Sequence, residues 1–220
     1  AVDQRGEFHV ALSGGSTPEP FYIRLVIDPR YRAIPWQHTH LWIVDERRVP
    51  DTHDKSNFRM IRETLVDHVP LKKRNAHPMP VMNDDPAGEY ENLLRSYVDT
   101  KQGDEPLKLD FVLLGMGDDA HTASLFPQSR AIHEMTRWAT VNDGAHVTQP
   151  NRVTMTYPLL NAARHAAVLV TGAKKAPALR LVDEQVRTKG PDPKYFPITG
   201  VQPDNGDLVW YLDAAAAGQG

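Results

Sequence analysis

Two features of the chain predict an α/β fold: a largely parallel sheet flanked by helices. Short apolar runs alternate with helical patterns, which is the signature of strands joined by crossover helices. Most of the runs are nearly continuous rather than alternating, as expected of strands covered on both faces. Strands are placed at Phe8–Leu12, His40–Val44, Leu109–Leu114, Ala166–Val170 and Leu208–Leu212. Between them, Phe58, Ile61 and Leu65 recur at helical spacing, as do Tyr90, Leu93, Leu94 and Tyr97. Pro86 stands where a first helical turn tolerates proline. Ligands bind such sheets at the carboxyl ends of their strands. Attention therefore falls on the loops after Leu12, Val44, Leu114 and Val170.

Composition narrows the function classes. The 220 residues are 40% hydrophobic, enough for a core, and carry a formal net charge of −3. That balance points to neither nucleic acid nor an anionic membrane as partner. With no cysteine there is no disulfide framework and no thiolate metal site. No apolar run approaches a membrane span. The opening AVDQRGEFHV has neither the basic leader nor the apolar core of a signal peptide. It enters a strand almost at once, so residues upstream are expected to be missing.

The loop after the first strand reads Ser13-Gly14-Gly15-Ser16-Thr17-Pro18. Its glycines let backbone approach a ligand closely. Thr17 is expected to cap a helix with Pro18 at its first position and with Phe21 and Leu25 facing inward. Free N–H groups and the helix dipole then converge on one spot suited to phosphate. An ordinary, well-capped strand–helix turn is the plainer alternative. The loop is not a P-loop, because no Gly-Lys-Ser/Thr follows.

After the Leu109–Leu114 run comes Gly115-Met116-Gly117-Asp118-Asp119-Ala120-His121. Gly115, Gly117 and Ala120 fit a dinucleotide fingerprint, but Asp118 and Asp119 would repel a pyrophosphate, and Pro127 disfavours a long helix here. The other reading is an acid/base pair. A carboxylate two residues before an imidazole can fix its tautomer and support its protonated form. His121 would then take a proton from water, oriented by Asp119; a loop histidine beside a capping aspartate is the alternative. Arg47, Arg152 and Lys175 each follow or border a predicted strand and suit a phosphate dianion. His38 and His40 could share a strand face, but no third ligand is placed, so no metal site is assigned. The tryptophans and methionines read as core. Ser13, Ser16 and Ser124 lack the G-x-S-x-G context of a nucleophile.

Together these residues resemble a known family. The strings Leu12 to Pro18, Val44 to Pro50, Ser56-Asn57-Phe58, Leu114 to Pro127, Arg152-Val153-Thr154, Thr171 to Lys175 and Leu208 to Asp213 look like the glucosamine-6-phosphate isomerase/6-phosphogluconolactonase family, nearly end to end and in order. The resemblance implies the fold shared with glucosamine-6-phosphate deaminase and ribose-5-phosphate isomerase. It implies hydrolysis of 6-phospho-D-glucono-1,5-lactone without a cofactor, in the oxidative pentose phosphate pathway. It gives His121 as the base, and Gly14, Gly15, Ser16, Thr17, Arg47, Arg152 and Lys175 as substrate contacts. The expected partner is a small sugar phosphate lactone, met in the cytoplasm by a monomer. Similarity to the lactonase domain of a bifunctional endoplasmic-reticulum dehydrogenase leaves the lumen as the alternative.

Two departures stand out. The family usually has Gly where this chain has Ala120, a strained choice if that position needs positive φ. The family usually also carries a strand and a helix before the glycine loop's strand, so residues 1–220 are expected to be a single lactonase domain lacking both. An amino-sugar phosphate deaminase or isomerase and a non-catalytic sugar-phosphate sensor are the rival functions.

Overall fold

A computed structural model describes residues 1–98, 105–143 and 151–219. A short helix, α1 (Val2–Arg5), leads into β1 (Phe8–Leu12). Then come α2 (Glu19–Ile27), β2 (Thr39–Ile43), β3 (Asp45–Arg47), α3 (Asn57–Thr64), β4 (Ala76–His77), α4 (Pro86–Arg95) and β5 (Phe111–Gly115). The second half runs β6 (Ala139–Asn142), β7 (Arg152–Met155), α5 (Tyr157–Asn161), β8 (His165–Val170), α6 (Ala176–Lys189) and β9 (Asp207–Leu212). Among the described residues no helix is long and apolar enough to cross a membrane.

The main sheet has six strands in the order β4-β2-β1-β5-β8-β9, and every neighbouring pair is parallel. The five strands expected from the apolar runs are all here, β1 with the expected bounds and the others shifted by one or two residues. Four of them carry the core: Ala11, Leu41, Trp42, Ile43, Val112 and Val168 are fully buried. β9, at the sheet edge, has no buried residue, and four of its six are exposed.

A second sheet, β3-β7-β6, is antiparallel and was not foreseen. Its strands are three or four residues long, and β3 is wholly charged, so neither length nor apolar pattern signals them. This small sheet stands beyond the carboxyl ends of the main one and walls the site.

Local chemistry explains the helix starts. Ser56 caps α3 by accepting the Arg59 N–H at 3.1 Å. Asp85 caps α4 by accepting the Gly88 N–H at 3.0 Å, with Pro86 in the first turn as expected. The cap expected for α2 is corrected: the helix begins at Glu19, Pro18 holds the cap position, and Thr17 makes no capping bond. Phe21 and Leu25 do face inward as expected, packing half-buried against the core, and Tyr22 between them is fully buried. Tyr22 donates its hydroxyl to the Ser13 carbonyl at 2.6 Å, which fixes the start of the glycine loop on the helix. Trp36, Trp42 and Trp138 are core as expected, but Met82 and Met135 are exposed.

Candidate active site

The loops after β1, β2, β5 and β8 converge, as the parallel topology requires, on a cavity of about 340 Å³. Gly14, Gly15, Ser16 and Thr17 line it, together with Arg47, Arg152, His121 and Lys175. Eight of the nine site residues expected from the sequence thus line one cavity, and the ninth, Asp119, is bonded to His121.

Strand periodicity explains the basic wall. On β3, Asp45 and Arg47 face the cavity, while Glu46 faces the opposite way. Glu46 is buried and accepts four hydrogen bonds: from the N–H groups of Arg47, Asn57 and Phe58, each at 2.8 Å, and from Ser56 Oγ at 2.9 Å. Burial raises its pKa and those donors oppose the rise. The carboxylate thereby joins α3 to β3 and sets the strand's facing. Across the ladder, Arg47 is the register partner of Arg152. Two guanidiniums side by side repel one another, and an anion between them relieves that repulsion. Asp45, also buried, lies 3.9 Å from Arg152 and accepts the Ser124 hydroxyl at 2.5 Å. Burial pulls the Arg152 pKa down, Asp45 acts against that, and Arg47 adds to it. Lys175, at the start of α6, pairs with Asp118 at 2.7 Å.

The acid/base pair is equally well defined. Asp119 Oδ1 stands 2.5 Å from His121 Nδ1 and 3.1 Å from the His121 backbone N–H. A carboxylate only accepts, so Nδ1 carries the proton and Nε2 of the neutral ring keeps its lone pair. Burial acts to raise the Asp119 pKa, but the hydrogen bond and charge of His121 outweigh it and hold the carboxyl below its ordinary value. Phe126 lies under the imidazole, ring centroids 4.5 Å apart, and 5.8 Å from the Arg152 guanidinium. Gly117 makes the close approach possible: a Cβ there would stand 2.0 Å from His121 Nδ1. Ala120, between the pair, has φ 62°, the left-handed conformation in which the family's usual Gly is at ease.

Sequence reasoning gave no role to Asp45, Asn57, Ser124 or Phe126. Asp45 and Asn57 lie inside strings that carry the resemblance, but only the structure turns them toward the cavity. Ser124 is fully buried and holds Asp45, a structural part and no nucleophile.

One cluster of metal-type ligands lies elsewhere among the described residues: Glu7, His9 and His40, at the amino ends of the strands. The strand face that His38 and His40 could have shared does not form, since His38 is exposed outside the strand. The cluster is satisfied as it stands. Trp42 donates its indole N–H to His9 Nδ1 at 3.1 Å, so the neutral His9 carries its proton on Nε2 and directs it at Glu7, 3.3 Å away. No His9 lone pair faces a cation.

The family model described as glucosamine-6-phosphate isomerases/6-phosphogluconolactonase matches residues 1–210. A 6-phosphogluconolactonase of Nostoc sp. is 41% identical, covering 100% of this chain and 87% of its own. The crystal structure of 6-phosphogluconolactonase from Thermotoga maritima is 28% identical with a TM-score of 0.79, covering 96% of this chain and 87% of that one. A monomeric glucosamine-6-phosphate deaminase, 19% identical, shares the fold, with a TM-score of 0.77 over 100% of this chain and 90% of that one. The chain belongs to the glucosamine-6-phosphate isomerase/6-phosphogluconolactonase family.

Proposed function

We propose that the protein hydrolyses 6-phospho-D-glucono-1,5-lactone to 6-phospho-D-gluconate, the lactonase step of the oxidative pentose phosphate pathway. One observation carries the reading: an oriented imidazole–carboxylate pair and two register-paired arginines meet at one small cavity. A phosphorylated, neutral ester needs both parts, an anion anchor and a base for water.

In the mechanism, the phosphate rests on the glycine loop, Arg152 and Lys175, displacing Asp118 from the lysine. His121 Nε2 takes a proton from water as the water oxygen bonds to the lactone carbonyl carbon. The carbonyl electron pair moves onto oxygen, where Arg47 and backbone N–H groups stabilise it. The oxyanion collapses, the carbon–ring-oxygen bond breaks, and the proton on Nε2 passes to the leaving ring oxygen. The new carboxylic acid ionises, so each turnover releases one proton. On this reading the protein acts as a cytoplasmic monomer on a small sugar phosphate.

The test is proton release above the spontaneous rate, with freshly generated 6-phosphogluconolactone and with unphosphorylated gluconolactone. The phosphorylated lactone is expected to be preferred by at least about 10²-fold in kcat/KM, the worth of two charge-assisted contacts at roughly 1.5 kcal/mol or more each. Arg152→Ala and Lys175→Ala are expected to raise KM with little change in kcat. Equal kcat/KM for the two lactones contradicts the anchor.

A further inference from the structure

Buried polar atoms without a partner are rare in native proteins, and each calls for a reason. Here they concentrate. Ser13 Oγ, Arg47 Nε and Asn57 Oδ1 all lack a hydrogen bond, and all three residues line the cavity. The other two such atoms among the described residues, Asn142 Oδ1 and Arg164 Nε, belong to residues outside it.

Asn57 is the most constrained of the three. It opens α3, is 2% exposed, and its backbone N–H is held by Glu46. Its side-chain Nδ2 donates to the Asp45 carbonyl at 2.7 Å. A carbonyl oxygen only accepts, so this bond fixes which end of the amide is nitrogen and leaves Oδ1 as the orphan. The amide packs over Gly14, where a Cβ would lie 2.0 Å from Oδ1. Gly14 therefore makes room for the Asn57 amide at the cavity wall.

An amide oxygen can only accept. A phosphorylated aldonolactone offers three kinds of polar atom: phosphoryl oxygens, ester oxygens and hydroxyls. The dianionic phosphate and the ester offer acceptors alone; only a hydroxyl donates. We propose that Asn57 is a specificity-determining residue whose Oδ1 accepts a hydrogen bond from a ring hydroxyl of the substrate. This rests on the lactonase reading of the cavity and deepens it. Arg47 Nε, a donor, takes the complementary role toward an oxygen acceptor. A site with a buried acceptor rejects an analogue lacking the donor, because the acceptor is then desolvated and unpaired.

The experiment compares 6-phosphogluconolactone with its 2-, 3- and 4-deoxy analogues, for the parent and for Asn57→Ala. Calorimetry runs in parallel with 6-phosphogluconate and the matching deoxy acids. The parent is expected to lose about 10- to 10²-fold in kcat/KM on one deoxy lactone, the cost of one unpaired buried acceptor. Asn57→Ala is expected to lose a similar factor on the full lactone and little more on that analogue, so the ratio falls toward one, with KM moving more than kcat. A parent that accepts every deoxy analogue as well as the full lactone overturns the proposal. So does an Asn57→Ala protein that keeps the parent's discrimination, or that weakens on all lactones by one common factor. If the variant does not fold, the parent's discrimination among lactones and among acids still decides. If the parent binds the acids with hydroxyl discrimination but turns over no lactone, the lactonase reading fails and the Asn57 contact stands.

Discussion

Ala120 shows how one residue joins backbone strain to chemistry. Its N–H bonds the Gly117 carbonyl at 3.1 Å and its carbonyl accepts the Ile198 N–H at 3.0 Å, so the left-handed turn that presents Asp119 and His121 is held from both sides. The left-handed conformation costs an L-residue about 1–2 kcal/mol. Ala120→Gly relieves this, but it loses a buried methyl worth about 0.8 kcal/mol and frees the unfolded chain by about 0.4–1 kcal/mol. The expected net change in unfolding free energy is under about 1 kcal/mol, with activity kept. Ala120→Val adds a β-branched side chain at φ 62° in a position 1% exposed, and is expected to destabilise by about 2 kcal/mol or more. Urea denaturation of the three proteins checks both values; a valine variant as stable as the parent contradicts the turn geometry. The departure from the family's usual glycine was legible in the sequence. That the loop keeps its geometry with alanine was not, because the bonds holding it come from Gly117 and from distant Ile198.

At the scale of elements, the histidines of three neighbouring strands form a buried stack. His9 of β1 lies over His40 of β2, ring centroids 4.7 Å apart, and His40 over His77 of β4 at 5.4 Å, with Tyr97 edge-on and Glu7 beyond. Burial lowers the pKa of all three; Glu7 opposes this at His9 and His40, and charge on its neighbours adds to it at His77, which falls to about 3. The unfolded chain therefore binds protons that the folded chain refuses. Stability is present above the unfolded value near 6.5 and is lost as pH falls below it, by up to about 1.4 kcal/mol per pH unit for each neutral imidazole. The urea midpoint is expected to drop steadily from pH 7 to 5, and His77→Gln is expected to reduce the slope. A flat midpoint over that range contradicts the stack's neutrality. Sequence showed His40 inside an apolar run, but not that parallel register would set His9 beside it, nor that two-residue β4 would bring His77. The same limit hid β3 as a strand: sequence offered Arg47 as an anion contact, but not Glu46 capping α3 nor Asp45 turned into the cavity beside Arg47.

For the molecule as a whole, the parallel sheet was legible because continuous apolar runs have few other uses, and its carboxyl ends located the site. The antiparallel wall was not legible, and it is what makes Arg47 and Arg152 neighbours. The site's charges are divided accordingly: the anchor rests on the wall, the glycine loop and α6, while the base rests on the loop after β5. Removing the base should therefore lower turnover and spare binding. The direct test is lactone hydrolysis against pH for the parent, His121→Ala and Asp119→Asn, with 6-phosphogluconate binding measured alongside. The parent's kcat/KM is expected to fall on the acid side with a single protonation. His121→Ala is expected to lower kcat by about 10²- to 10⁴-fold while binding of the product acid persists, and Asp119→Asn to lower it by a smaller factor. A His121→Ala protein with the parent's kcat contradicts the account.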